Sequence, residues 1–460
     1  MENKVLKNTE SVCPKCLKRI TAQRIKKGDE VYLRKECPEH GTFEVLVWKG
    51  NPKYEDWPLE KIPITPSICQ TEIEQGCPYD CGLCPDHRQE TCCVLLEITT
   101  ACNLYCPVCF AQAQEGKRED PDLQEISRWY DKLKEPGFIY NIQISGGEPT
   151  IRDDLPEIIK MGHEKGYPYI QLNTNGLRLG KEPSFVKKLK EAGLNSVFLQ
   201  FDGTNDEIYR KIRGKPLLDI KKAAIENCAR EGLGVVLVPT LVPGVNLDNI
   251  GEIISFAIEH MPGVRGVHFQ PISYFGRYPE SPPEDRITIP EILRALEKQT
   301  SGMIKAENFA PPAAENSYCS FQGNFILTEE GVLKSIKSQV TGKCCSPPVN
   351  AQEAVQKSRA FVARQWVAPE DGSPNGFCGC AKGGEELSIG VINTESLDIF
   401  LNQARYYTLA ISGMAFQDAW TLDLERLRDC KVHVFSPDNK LIPFCAYNLT
   451  DMNGESLYRK

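Results

Sequence analysis

The sequence predicts an α/β protein whose core is a parallel sheet built from repeated strand–helix units. From residue 93 to about residue 275, short apolar runs alternate with amphipathic helical stretches. Such an alternation is typical of parallel sheets, which bind ligands at the carboxyl ends of their strands. The predicted strands cover residues 93–98, 138–145, 168–173, 196–201, 234–240 and 266–271.

The N-terminal segment has the pattern of a metal-binding knuckle. Cys13-Pro-Lys-Cys16 is followed by Cys37-Pro-Glu-His40, and alternating stretches typical of a β-ribbon lie between them. Structural zinc and rubredoxin-like iron both require four such sulfur or nitrogen ligands. We therefore predict a mononuclear Fe or Zn site on Cys13, Cys16 and Cys37, completed by His40 or by a later cysteine such as Cys69.

A linker rich in proline and lysine, residues 50–68, leads to a second group of cysteines. Cys77, Cys81 and Cys84 have the spacing C-x-x-x-C-x-x-C, and Cys92 follows closely. Three close cysteines and one downstream are the usual ligands of a four-cysteine iron–sulfur cluster. A second zinc site is the alternative, because thiolates bind both metals.

The loop after the first predicted strand repeats this spacing. Cys102, Cys106 and Cys109 lie there, and Phe110 follows directly. A closed structural metal site takes four ligands, so three leave either a distant fourth partner or an open coordination position. An open position would let a substrate or cofactor bind the metal directly.

Two further loops follow the next two strands. Ser145-Gly-Gly-Glu-Pro-Thr150 comes after the second strand, and Asn173-Thr-Asn-Gly176 comes after the third. A glycine pair lets the backbone approach a ligand closely, while a glutamate supplies a carboxylate for an ammonium group. Helical patterns fill the gaps, for example at residues 155–163 and 185–193. Beyond residue 285 the alternation fades into a cysteine-rich region.

Composition excludes several classes of function. The net charge of -8 argues against a nucleic-acid partner. No apolar run approaches the ~18 residues that a membrane helix needs, and no secretory signal is visible. A cytoplasmic location is therefore expected, although peripheral contact with a membrane stays open. In that compartment 20 cysteines, twelve of them within the first 109 residues, favour metal ligands over disulfides.

The cysteine triad, the GGEPT turn and the NTNG turn, in register after successive strands, resemble the radical S-adenosylmethionine (radical SAM) superfamily. The resemblance implies a partial TIM barrel, (β/α)6, and a [4Fe-4S] cluster whose open iron chelates S-adenosylmethionine. Reductive cleavage of that cofactor yields a 5′-deoxyadenosyl radical, which abstracts a hydrogen atom from substrate. The implied cluster ligands are Cys102, Cys106 and Cys109, and the cofactor-binding candidates are Phe110, Gly146, Gly147, Glu148, Pro149, Asn175 and Asp202.

The order of the knuckle, the two triads and a closing Ile442-Pro-Phe-Cys445 is similar to the group of archaeal tetraether lipid synthase and dihydropterin methyltransferase-like proteins. It implies a knuckle with linker (1–68), an auxiliary cluster segment (69–92), the radical SAM core (93–285) and an α+β C-terminal domain (286–460). One or two auxiliary [4Fe-4S] clusters follow from the same resemblance. Their candidate ligands are Cys77, Cys81, Cys84 and Cys92 for the first, and Cys319, Cys344, Cys378, Cys380, Cys430 and Cys445 for the second.

Other polar residues have simpler interpretations beside the functional ones. Asp202 ends the fourth strand and either contacts substrate or ribose or caps a loop. Gln270 either faces the cofactor or is an ordinary half-buried strand residue. Arg213 is expected to be a solvated surface arginine rather than a carboxylate or phosphate ligand. His87 and His268 are expected to be hydrogen-bonded structural histidines.

The leading functional hypothesis is a radical SAM enzyme that forms a C–C bond on, or alkylates, a lipid- or pterin-like small molecule. A ferredoxin- or flavodoxin-type protein is the expected electron donor. The alternatives are a peptide- or protein-modifying radical SAM oxidase and an iron–sulfur electron-transfer protein that is not an enzyme. The GGEPT and NTNG turns argue against the last, because an electron carrier needs no methionine-binding turn.

Overall fold

The computed structural model describes residues 3–113, 120–135, 137–278, 285–336, 349–369 and 403–459. Its strands form three sheets, of four, twelve and two strands within these residues. The four-stranded sheet is an antiparallel meander, in which alternate residues of the third strand are buried. This confirms the predicted N-terminal β-ribbon. Its strands are β1 (Lys4–Val12), β2 (Arg19–Lys27), β3 (Glu30–Cys37) and β4 (Gly41–Lys49).

The large sheet contains the six predicted core strands as parallel neighbours in chain order. The second and third strands begin three and two residues later than predicted, and the others match closely. The core strands are β6 (Cys93–Glu97), β7 (Asn141–Ser145), β8 (Ile170–Thr174), β9 (Ser196–Gln200), β10 (Gly234–Val238) and β12 (Val264–Pro271), with the short β11 (Thr240–Leu241) beside β12.

Helices connect the core strands and cover one face of the sheet. Asp122 caps the first of them by accepting a hydrogen bond from the Glu125 backbone N–H, at 2.7 Å. In the second, Leu155, Ile158 and Ile159 are buried at helical spacing, as the sequence predicted. The helices are α1 (Leu123–Lys134), α2 (Leu155–Glu164), α3 (Leu177–Lys181), α4 (Pro183–Glu191), α5 (Asp206–Arg213), α6 (Leu218–Arg230), α7 (Ile250–Glu259) and α8 (Ile289–Gln299).

The C-terminal region extends the core sheet at both of its edges. One of its strands pairs in parallel with β12, and another pairs in parallel with β6. The limits of the predicted domains stay predictions, but these strands share the core's sheet. The remaining elements are β5 (Lys61–Ile62), β13 (Ser320–Leu327), β14 (Leu333–Ser335), β15 (Val349–Asn350), α9 (Ala351–Gln365), β16 (Thr408–Met414), α10 (Leu424–Arg428), β17 (Val432–Phe435), β18 (Leu441–Pro443) and α11 (Phe444–Tyr447).

The core strands have two chemically different faces. Ile142, Ile144 and Leu172 are fully buried in the main hydrophobic core, whereas Gln143 and Asn173 point to the other side, toward a cavity. No helix in the described ranges has the length and apolar character needed to cross a membrane.

Candidate active site

A cavity of about 250 Å³ lies at the carboxyl ends of the core strands. The three loops singled out in the sequence meet there, because the ends of neighbouring parallel strands share one edge of the sheet. The structure thus brings together residues that are up to 73 positions apart in the chain. Predicted site residues that line the cavity are Cys102, Cys106, Cys109, Phe110, Gly146, Gly147, Glu148 and Asn175.

The cysteine loop is fixed by an arginine that follows the sixth core strand. Arg277 exchanges two backbone hydrogen bonds with Cys109, at 2.8 and 3.0 Å. Its guanidinium donates to the Cys106 carbonyl at 2.9 Å and lies over the ring of Tyr105. This role could not be predicted from the sequence, since Arg277 belongs to none of the recognised motifs.

The three thiols fit an iron–sulfur cluster better than a single ion. Burial raises the pKa of Cys102 to about 12 and also raises the pKa of Cys106, so each needs a metal to hold it as a thiolate. Among the described residues, the ligand atoms that converge as they would around a single ion are those of the N-terminal ribbon, and the three thiols do not belong to that group. A four-iron cluster holds its thiolates farther apart than one ion does.

The glycine pair allows the second loop to pack directly on the first. The Gly147 and Glu148 backbone N–H groups donate to the carbonyls of Thr99 and Ala101, at 2.8 and 2.9 Å. A Cβ on Gly146 would lie 2.2 Å from the Thr99 oxygen. The close approach predicted from the glycines is therefore present, and the backbone that approaches belongs to the segment leading into the cysteine loop.

Glu148 joins the second loop to the third. It is 1% exposed, and its carboxylate accepts hydrogen bonds from the Thr150 N–H and hydroxyl, the Thr174 hydroxyl and the Asn175 N–H, at 2.6–3.0 Å. Pro149 begins a short 3₁₀ turn directly after it. Three of these bonds reach one carboxylate oxygen, so only the other oxygen has capacity left for a ligand.

Asn175 is held by a second set of contacts. Its side-chain amide donates to Asn103 of the cysteine loop at 2.7 Å, and its carbonyl accepts from the Lys221 ammonium. Burial lowers the pKa of Lys221 to about 8. The sequence missed Lys221, because a lysine in an amphipathic helix is most often solvated.

Arg213 corrects a sequence prediction. It is 6% exposed rather than solvated, and it forms a two-point ion pair with buried Asp202, at 2.7 and 2.8 Å. Its guanidinium also donates to the Thr240 hydroxyl at 3.0 Å and lines the cavity beside Cys106. Asp202 is not a cavity-lining residue, so its place is behind the arginine that it orients.

The remaining walls combine amides with apolar side chains. Gln143, Asn173, Gln200 and Gln270 each come from a different core strand. Asn173 donates to Gln143 at 3.4 Å, and the Asn173 amide oxygen has no partner within the described residues. These walls suit a flat molecule with hydrogen-bonding edges. The apolar lining includes Leu95, Phe198, Val238, Phe416 and Phe444.

The N-terminal ribbon contains a preformed metal site. The ligand atoms of Cys13, Cys16, Cys37 and His40 all lie within 4.8 Å of one another. His40 therefore lies where a fourth ligand would be, while Cys69 is exposed and lies outside this group. Four converging sulfur and nitrogen atoms fit tetrahedral zinc.

The segment between ribbon and core forms a second, smaller cysteine site. Cys77, Cys81 and Cys84 line one cavity, together with His87. Cys92 does not line it, contrary to the predicted grouping. Its backbone N–H donates to the Lys431 carbonyl at 2.8 Å, which holds it at the start of β6 and away from the other three.

A third cysteine site is formed by the C-terminal region. Cys319, Cys430 and Cys445 line one small cavity, and the Arg426 guanidinium lies 3.5 Å from the Cys319 sulfur. These positions are 126 residues apart at most, so spacing alone could not group them. The other candidates, Cys344, Cys378 and Cys380, lie outside the described residues.

Two family models and two known proteins match parts of the chain. A model of the radical SAM superfamily matches residues 96–257, and a model described as the HMPTM N-terminal zinc ribbon domain matches residues 5–49. The chain is 30% identical to the mycofactocin maturase MftC of Mycolicibacterium smegmatis over 39% of its length and 45% of that protein. It also resembles the solved structure of SuiB from Streptococcus suis, with 17% identity, a TM-score of 0.39 and 47% coverage of each chain.

A full-length relative identifies the family. The chain is 37% identical to the 7,8-dihydro-6-hydroxymethylpterin dimethyltransferase of Methanocaldococcus jannaschii, over 96% of this chain and 93% of that protein. The protein therefore belongs to the radical SAM superfamily of enzymes and, within it, to the family of this pterin dimethyltransferase.

Proposed function

We propose that the protein alkylates a reduced pterin, or a closely related fused pyrimidinone, by radical SAM chemistry. The observation that carries this proposal is the 37% identity to a 7,8-dihydro-6-hydroxymethylpterin dimethyltransferase over nearly the whole of both chains. The sequence predicted either an enzyme that couples lipid chains or one that alkylates a pterin-like molecule. We prefer the second, an enzyme that methylates carbon.

The walls of the cavity support a heterocyclic substrate. A pterin carries amide-like donors and acceptors along its pyrimidinone edge, and amide side chains match such an edge. Gln143, Asn173, Gln200 and Gln270 offer four of them at one end of the sheet. An acyl chain would offer these amides no hydrogen bond, and each amide group that it buried without a partner would cost about 1–3 kcal/mol.

The residues around the cysteine triad have distinct tasks. Cys102, Cys106 and Cys109 would hold the [4Fe-4S] cluster, and S-adenosylmethionine bound there supplies the radical that abstracts hydrogen. Gly146, Gly147 and the Glu148 oxygen that accepts a single hydrogen bond, from the Asn175 N–H, would bind its amino group. Asn175 faces the same cavity and would position the cofactor, and the apolar walls would exclude water.

Arg213 is the buried cation of the cavity. Its side chain is oriented by Asp202 and Thr240, so its position is fixed before any ligand binds. A fixed guanidinium beside the cysteine triad would bind a carboxylate with little reorganisation. Asp202 then acts as a positioning residue.

The three remaining sites are proposed to be structural or auxiliary. The ribbon would bind zinc. The small cavity that Cys77 lines and the small cavity that Cys319 lines would each hold an auxiliary [4Fe-4S] cluster. A ferredoxin- or flavodoxin-type electron donor and a cytoplasmic location remain part of the proposal.

The test uses anaerobically reconstituted full-length protein with dithionite and S-adenosylmethionine. With 7,8-dihydro-6-hydroxymethylpterin and a methyl-group donor present (a second S-adenosylmethionine or a reduced one-carbon carrier), mass spectrometry should detect 5′-deoxyadenosine from hydrogen abstraction and a pterin heavier by one or two methyl groups. Cys102→Ala should form neither product. A pterin that stays unmodified while a peptide or lipid is altered would refute the assigned substrate and leave the superfamily assignment intact.

A further inference from the structure

The small cavity of the auxiliary segment has four side chains able to bind iron without disturbing the fold. Cys77, Cys81 and Cys84 supply thiols, and His87 supplies an imidazole. The Asp80 carboxylate also lines the cavity, but one of its oxygens already accepts three backbone N–H groups, at 2.6–2.9 Å. The donor set is therefore three sulfurs and one nitrogen.

We propose that His87 is the fourth ligand of an iron–sulfur cluster held by Cys77, Cys81 and Cys84. The inference rests on the proposed function only in taking this triad as a cluster site. It replaces Cys92, which the sequence suggested, and assigns the site the less common composition of three cysteines and one histidine.

The hydrogen bonding of His87 leaves its Nδ1 atom available to bind iron. Its Nε2 lies 2.8 Å from the Cys430 carbonyl oxygen. Because a carbonyl only accepts, Nε2 must carry the proton, and Nδ1 keeps its lone pair. Histidines that bind metals are usually oriented in this way by a carbonyl on the opposite ring nitrogen.

The N-terminal ribbon contains the same knuckle. Cys84-Pro-Asp-His87 repeats the pattern of Cys37-Pro-Glu-His40. In both, the histidine lies three residues after the last cysteine of its group, with a proline and an acidic residue between them. In the ribbon, the His40 Nδ1 lies 3.5 Å from the Cys37 sulfur and belongs to the metal site. The same sequence pattern therefore accompanies a histidine that lines the cavity of its own cysteines.

The two rival cysteines are held elsewhere. Cys92 packs against Ala314 and Ala354 in a separate apolar cluster. Cys69 is exposed, and its sulfur lies 4.0 Å from the Pro66 carbonyl oxygen. Neither lines the cavity.

The experiment is pulse EPR of the reduced full-length protein labelled with ¹⁵N-histidine, in a His40→Cys background that removes the ribbon imidazole. We expect a nitrogen coupled directly to a cluster. His87→Cys should abolish that coupling while the iron and sulfide content stays the same. It should also lower the midpoint potential of that cluster, because replacing the imidazole by a thiolate stabilises the oxidised cluster. Cys92→Ala and Cys69→Ala should leave the spectrum unchanged.

The opposite results would overturn the proposal. These are the absence of nitrogen coupling in the parent protein, or the loss of about four irons in Cys92→Ala or Cys69→Ala but not in His87→Ala. The spectra do not depend on turnover, so a failure to alkylate pterin would refute the proposed function without affecting this ligand assignment.

Discussion

Gly147 packs so closely against Ala101 that a Cβ on the glycine would lie 2.1 Å from the alanine's carbonyl oxygen. The contact joins the loops that follow the first two core strands. Since the cysteine triad begins one residue after Ala101, the spacing of these loops sets the spacing between the cluster site and the cofactor-binding turn.

Gly147→Ala should therefore separate the two loops. The added methyl group meets backbone, which cannot rotate away, and a shift of about 1 Å in reacting groups costs roughly 100-fold in rate. We expect that loss in 5′-deoxyadenosine formation, measured by chromatography. Gly137→Ala is the control, because a Cβ there meets nothing within 4 Å, and the strain at its φ of +77° falls before β7, at the end of the sheet opposite the site. Equal losses in both variants would contradict the role given to this contact.

Cys102→Ala should abolish S-adenosylmethionine cleavage, because it removes a ligand of the proposed cluster. The parent protein should contain about three [4Fe-4S] clusters and one mononuclear metal, and the variant about four irons fewer. Cys228→Ala is the matched control, since Cys228 is fully buried on α6 and far from the motif in sequence. Iron analysis and product assays decide the question, and cleavage at the parent rate would refute the cluster assignment.

Removing Arg213 should destabilise the fold as well as the site. Arg213→Met leaves the Asp202 carboxylate buried without its partner, which costs about 3–5 kcal/mol. Urea unfolding of the variant should show this loss. The double variant Arg213→Met with Asp202→Leu should recover much of the stability but none of the activity. Recovery of activity would show that the guanidinium has no role in binding.

Lys221 should make stability depend on pH. Its pKa falls from 10.5 to about 8 on folding because it is buried, so between these values the unfolded chain binds more protons. The free energy of unfolding of the parent protein, relative to Lys221→Met, should therefore rise as the pH increases through this window. Urea titrations at its two ends measure the difference, and a constant difference would contradict the buried lysine.

The ribbon should lose its metal when His40 is changed to alanine and keep it when Cys69 is changed. His40 lies with the three ribbon cysteines, whereas Cys69 is exposed outside the group. Zinc content by mass spectrometry tests both variants. Retention of zinc in His40→Ala with loss in Cys69→Ala would reverse the ligand assignment.

Periodicity was sufficient to predict the core of the fold. The sequences of β6 and β9 are short and apolar, as buried parallel strands should be. The recognised motifs directly follow the first three strands, so the cavity could be placed at the carboxyl ends of these strands. The sheet's outer strands could not be assigned. Nothing in Thr408–Met414 or Val432–Phe435 indicates which edge each would join.

Buried charges were the main failure of sequence reasoning. Arg213 ends a helix rich in charged residues, and only the three-dimensional position of Asp202, eleven residues earlier, shows that it turns inward. The structure does not group Cys92 with Cys77, Cys81 and Cys84, for a related reason. Its spacing matches a cluster ligand, but pairing with the C-terminal region fixes its backbone elsewhere.

The position of β17 beside β6 has a consequence for biosynthesis. The strand that leads to the cysteine triad gains its second neighbour from residues 432–435, and Phe416 and Phe444 form part of the cavity wall. A chain still emerging from the ribosome thus has the triad but an incomplete pocket around it. Cluster loading in a shielded site must therefore follow the synthesis of residues 416–444, so a segment more than 300 residues beyond the triad determines when the protein can safely receive its oxygen-sensitive iron.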